Sequence, residues 1–187
     1  QDCELSIQLL AIQSVAGSTG TWSVFAGNAA DISFSNASLF NAVATSTAYG
    51  TYTLRFTETN GTCSDCDVIV VTFTESPVAD AGTGGNECDL DFVLNATPSV
   101  GTGTWSKVSG PGVLSFSTNA NDPAATVTVS LYGSYVLRWT EVSGGVCTSS
   151  DDITVNFYEQ PVADAGAATA QECDLSIQLG AIQSVAG

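Results

Sequence analysis

The chain has 187 residues, 44% apolar, 9% aromatic and only 12% charged, and its 19 acids against 3 bases give a net charge of −16 with no His and no Met. That composition excludes His-based catalysis and His-ligated metal sites. Arg55, Lys107 and Arg138 are too few to displace the counterions of a nucleic acid or to hold an anionic membrane.

Sixteen aromatic residues and many Val, Ile and Leu exclude a disordered chain, because disorder needs low hydrophobicity beside high charge. The longest aliphatic run is residues 68–71, so no apolar helix long enough to span a bilayer is expected. The sequence has no initiator Met and no signal peptide, so a mature product or a window on a longer chain is expected.

In chain order, the predicted elements are strands. Leu5, Ile7 and Leu9 share one face of the first. Tyr52, Leu54 and Phe56 point inward where Thr53, Arg55 and Thr57 point outward, and Ile69, Val71 and Phe73 form another inward set. Leu90, Phe92 and Leu94 repeat the first pattern, and Ile153, Val155 and Phe157 alternate with Thr154 and Asn156. Clusters such as Gly110-Pro111-Gly112 separate the runs, and no stretch keeps a 3.6-residue period. Six or seven short strands in about 85 residues suit a small β-sandwich.

The chain repeats itself. Cys3 recurs as Cys88 and Cys173, Trp22 as Trp105, and Cys63 as Cys147. The strand around Tyr52 recurs around Tyr135, and Pro77-Val78-Ala79-Asp80-Ala81-Gly82 recurs letter for letter at 161–166. Residues 171–187 differ from 1–17 at only three positions, so a two-repeat unit of 170 residues is itself repeated. The reading is all-β: tandem immunoglobulin-like β-sandwich domains in an elongated array. Residues 1–85 form a type A repeat, 86–170 a type B repeat, and 171–187 the first strand of a further type A repeat. That strand, with Leu175, Ile177 and Leu179 on one face, is expected either to lead on along a fibre or to be donated to another subunit.

Equivalent positions in the two repeats suggest two disulfides, Cys3–Cys63 and Cys88–Cys147. They would imply an oxidising, extracellular setting. Cys66 has no counterpart and is read either as a bystander or alternative partner for Cys3, or as a link between chains. Cys63-x-x-Cys66 has no second pair for a metal and no helix pattern for a redox site. Tyr52 and Tyr135 are read either as tyrosine corners or as plain core residues.

A leading Cys, Gly-Thr-Gly-Thr-Trp, Gly-x-Tyr-x-Leu-x-Trp-Thr-Glu, a second Cys and the Pro-Val-Ala-Asp-Ala-Gly linker follow one another in order. This order resembles the tandem immunoglobulin-like, PKD-like repeats of giant cell-surface proteins from gliding and biofilm-forming bacteria of the Bacteroidetes type. The resemblance covers the whole chain. It implies an extracellular stalk or filament, many of whose relatives leave the cell by the type IX route, and it brings no catalytic residues.

Glu75, Asp80 and Glu87 surround the first linker, and Glu159, Asp164 and Glu172 the second. Each trio could gather oxygens for calcium, although no EF-hand loop is present, and a solvated acidic surface is the alternative. Trp22 and Trp105 are expected in the core, with an exposed sugar platform as the alternative. The adjacent Asp151 and Asp152 point to opposite faces of a strand, which does not suit an acid–base pair. No enzyme is expected, and the first repeat has no Lys for an isopeptide bond. The chain reads as a spacer and mechanical element of a bacterial surface filament or adhesin stalk. Its expected partners are neighbouring repeats of the same fibre or other copies of the chain. A carbohydrate- or ligand-binding module is the alternative.

Overall fold

Tyr52, Leu54 and Phe56 alternate with polar or charged residues, so an extended chain sends three large apolar side chains to one face. The structure, a computed structural model describing residues 3–166, 173 and 175–185, places them in the strand β5 (Gly50–Asn60). This strand pairs antiparallel with β2 (Thr19–Ala26) and β6 (Cys63–Phe73). A second sheet has the order β1 (Ser6–Gln8), β4 (Val43–Ser46), β3 (Ile32–Phe34).

The inward faces of these sheets bury Leu9, Trp22, Ala44, Tyr52, Leu54, Phe56, Val71 and Phe73 in one core, with Leu5 and Ile7 packed against it. Trp22 tilts onto Phe56 at 4.9 Å between ring centroids. Each fully buried large apolar side chain contributes about 2 kcal/mol. The second repeat builds the sheets β10 (Leu114–Phe116)–β11 (Thr126–Val129)–β8 (Asp91–Val93) and β7 (Gly85–Glu87)–β13 (Cys147–Phe157)–β12 (Gly133–Ser143)–β9 (Thr102–Ser109). In the last of these sheets, β7 runs parallel to β13.

By its contacts the chain divides into two compact units. The first comprises Gln1–Asp80, Pro98–Gly103 and Thr140–Ser150; the second comprises Ala81–Thr97, Thr104–Trp139 and Asp151–Gly187. Two segments of the second sequence repeat thus belong to the first compact unit. The core of the second unit holds Ala81, Leu94, Trp105, Val127, Tyr135, Leu137, Trp139, Ile153, Val155 and Phe157.

Gly101 has a φ of +87° and leads straight into β9. A side chain at Gly101 would strike the Val142 carbonyl, so glycine is needed there for space as well as conformation. The expected strand at Leu175–Leu179 does not form. Leu175 and Leu179 lie in solvent, and among the described residues this segment is held by an antiparallel bridge between Ile182 and Asp164. A strand needs a sheet to supply partners for its backbone and one face, and among the described residues no sheet includes this segment. No helix among the described residues is long and apolar enough to cross a membrane.

Candidate functional site

The cysteines are positioned by strand length and direction. β6 starts at Cys63 and runs eleven residues to Phe73. Three residues further on, the Ser76 hydroxyl donates to the Cys3 carbonyl at 3.2 Å. Cys3 therefore lies beyond the far end of β6 from Cys63, roughly 30 Å away at 3.3 Å per residue. The second repeat has the same geometry. Cys147 opens β13, whereas Glu87, the neighbour of Cys88, pairs with Phe157 at its end. The expected bonds Cys3–Cys63 and Cys88–Cys147 are thus corrected: each would have to span the length of a strand. Instead Cys3 is bonded to Cys147, 144 residues along the chain, with a Cα–Cα distance of 5.5 Å. Cys63, Cys66, Cys88 and Cys173 are exposed thiols.

The linker following β6 lies against the residues around this bond. The Val78 N–H donates to Ser99 Oγ at 2.9 Å and the Ala79 N–H to Ser149 Oγ at 3.3 Å. The Ala81 N–H donates to Asp151 Oδ2 at 3.0 Å. An extended Pro-Val-Ala segment has no partners of its own for these amides, and side-chain oxygens take them. Glu141, only 1% exposed, accepts the Ser99 N–H at 3.0 Å and the Ser99 hydroxyl, which holds Ser99 in place for the linker.

In the first repeat the same positions surround an open cavity of about 630 Å³. Its lining includes Ser14, Glu58, Cys63, Asp65, Asp67 and Ile69. Glu58 accepts the Ser14 N–H at 3.0 Å and the Ser18 hydroxyl. These bonds, led by the one from Ser18, hold its carboxyl below the usual glutamate range against the opposing pull of burial. This cavity was not anticipated from the sequence. The only hint was that Ser14, Cys63 and Asp67 recur as Ser99, Cys147 and Asp151.

Trp22 and Trp105 are 5% and 2% exposed, so neither offers a flat indole to a sugar. Tyr52 and Tyr135 are buried, and their hydroxyls donate to the carbonyls of Ala48 and Leu131, each four residues upstream, at 3.2 and 2.9 Å. This is tyrosine-corner geometry. The Tyr52 hydroxyl also lies 3.1 Å from Asp31 Oδ2.

Among the described residues, no three of His, Cys, Asp and Glu come together as a metal site. This covers Glu75, Asp80, Glu87, Glu159 and Asp164; Glu172 lies outside the described residues. Asp164 uses its side chain within its own turn, accepting the Gly166 N–H at 2.8 Å.

Paired sheets around a buried Trp, with tyrosine corners on the inner strands β5 and β12, define an immunoglobulin-like β-sandwich protein. No family model matches this chain, and no curated protein does. Among solved structures it is similar to extracellular domains 3–5 of Drosophila OTK, with a TM-score of 0.53 and 8% identity over 82% of this chain and 56% of that one. The chain thus spans little more than half of that structure, and the likeness shows the fold. It also matches the PKD domain of the KIAA 1837 protein at 25% identity and a TM-score of 0.37, covering 49% of this chain and 92% of that one. An I-band fragment of titin matches at 13% identity and a TM-score of 0.43, covering 79% of this chain and 57% of that one.

Proposed function

We propose that this chain is a structural segment of an extracellular bacterial surface filament or adhesin stalk, a tandem run of immunoglobulin-like repeats that acts as spacer and mechanical element. The observation that carries the reading is the Cys3–Cys147 bond, which ties the start of one sequence repeat to the last strand of the next across 144 residues. Such a bond serves a chain under tension, because force applied at the ends bypasses the residues it encloses. An oxidised pair also suits a compartment outside the cytosol. The acidic exterior keeps copies soluble and apart through like-charge repulsion. The test is immunogold electron microscopy of the intact cell surface with antibodies to this chain. Label spaced along threads is expected; label confined to the cell interior or to discrete particles would overturn the reading.

A second reading, a glycan- or ligand-binding module, has one observation in its favour. Tyr49 and Tyr132 stand at equivalent places just before β5 and β12, and both are more than two-fifths exposed. A glycan array probed with the purified chain separates the readings, because a spacer should bind no glycan that Tyr49→Ala and Tyr132→Ala together abolish.

A further inference from the structure

The first and second repeats differ in one respect that their sequences do not announce. Positions on β13 that are covered by chain have exposed counterparts on β6. Ile153 is 5% exposed and Ile69, at the same position of its strand, is 38% exposed. Cys147 is buried in a disulfide and Cys63 is an exposed thiol. What covers the second repeat at this place is the linker with the preceding repeat's leading cysteine: Val78 on Ser99, Ala79 on Ser149, Ala81 on Asp151, and Cys3 on Cys147. The corresponding residues Ser14, Asp65, Asp67 and Cys63 all line the open 630 Å³ cavity.

We propose that this cavity is the seat for the linker Pro161–Gly166 and the leading cysteine Cys88 of another type B repeat placed ahead of it, with Cys88 of that repeat bonded to Cys63. The inference rests on the filament reading and deepens it. Three observations identify the occupant. The linker 161–166 is identical to the seated linker 77–82, so it carries the same amides at the same spacing. Each acceptor it needs is present, with the Asp65 carboxylate in place of the Ser149 hydroxyl.

Moreover, the structure already shows this linker meeting a type A start. The Val162 N–H donates to Ser184 Oγ at 2.8 Å, and the Ile182 N–H donates to the Asp164 carbonyl at 3.0 Å. Ser184 and Ile182 are the copies of Ser14 and Ile12. Ile12, a wall of the cavity, is itself 87% exposed. Every repeat then lends its linker and its leading cysteine to the repeat after it, and Cys63 and Cys88 of this chain are open positions of a staggered covalent ladder. Bond formation removes one proton from each of the Cys88 and Cys63 thiols and two electrons from the pair. A disulfide oxidant accepts the electrons and leaves as two thiols.

The test uses the full chain extended in front by one further copy of residues 1–170, oxidised in a glutathione disulfide buffer and mapped by mass spectrometry without reduction. The expected bonds are Cys3–Cys147 within each copy and Cys88 of the first copy to Cys63 of the second. Finding the second copy's Cys63 free, or joined to Cys66 or Cys3, overturns the proposal. Hydrogen exchange provides a reading independent of sulfur. The Ala165 amide of the first copy should gain at least ~tenfold protection over the 187-residue chain, and keep it when the second copy carries Cys63→Ser. No gain in protection also overturns the proposal.

Electron microscopy of the same extended chain keeps the two readings apart. Beaded threads with Cys63 free would leave the filament standing and remove the ladder. A Cys88–Cys63 bond in a chain that never labels surface threads would do the reverse.

Discussion

The Ser99 amide donates to Glu141 Oε1 at 3.0 Å, and the carboxylate that receives it is almost wholly buried. The same pair recurs as the Ser14 amide on Glu58, also at 3.0 Å, at the rim of the open cavity. One carboxylate per repeat thus organises this turn, and in the second repeat a linker rests on it. Glu141→Ala should leave the Ser99 N–H without an acceptor and lower stability by about 1–3 kcal/mol in a urea titration. An unchanged midpoint would mean that water replaces the carboxylate.

Glu58 makes the equivalent bond measurable by pH. Hydrogen bonds, chiefly from the Ser18 hydroxyl, depress its pKa in the folded chain below the value it has when unfolded. Such a group contributes its full stability above the unfolded pKa and loses it as pH falls through the depressed folded pKa. The native chain should therefore be more stable than Glu58→Gln at neutral pH, and the two should converge once the pH is taken well below the ordinary glutamate range. Parallel curves of melting temperature against pH would contradict this assignment.

The cysteines give a paired test. Cys147→Ala removes a bond that closes a loop of about 144 residues, and the loop-entropy model assigns such a bond about 5 kcal/mol. Cys63→Ala removes an exposed thiol and should change stability by less than about 0.5 kcal/mol. Chemical denaturation of the two variants side by side checks both. A large effect of Cys63→Ala and none of Cys147→Ala would restore the pairing within a repeat.

Ala81 is fully buried although it belongs to a linker. Ala81→Leu should overpack that position and destabilise by about 1–3 kcal/mol. Val78→Leu, a few residues earlier and largely exposed, should stay within about 0.5 kcal/mol. Equal tolerance at both sites in thermal melts would show that the linker is not seated.

Calcium at the junctions calls for a direct measurement. The described residues bring no three carboxylates together, and Asp164 already caps its own turn. Six to eight oxygens are needed for a calcium site. A chelator is expected to leave the melting temperature unchanged, and a fall on chelation that added calcium reverses would establish an ion.

Which faces of β5 and β13 turn inward was determined by the sequence alone. Tyr52-x-Leu54-x-Phe56 and Ile153-x-Val155-x-Phe157 repeat every second residue, and side-chain direction in a strand is a local property with that same period. The burial of Trp22 and Trp105 was legible for a similar reason, since both stand at one place in two copies of one strand pattern. The disulfide was not legible. Spacings of 60 and 59 residues say nothing about which end of a strand a cysteine occupies, and the eleven residues of β6 put Cys63 and Cys3 at opposite ends. Nor could alternation distinguish Ile69 from Ile153, whose strands read alike. Their different exposure depends on whether a linker lies across them, and that is decided by contacts between segments far apart in the chain.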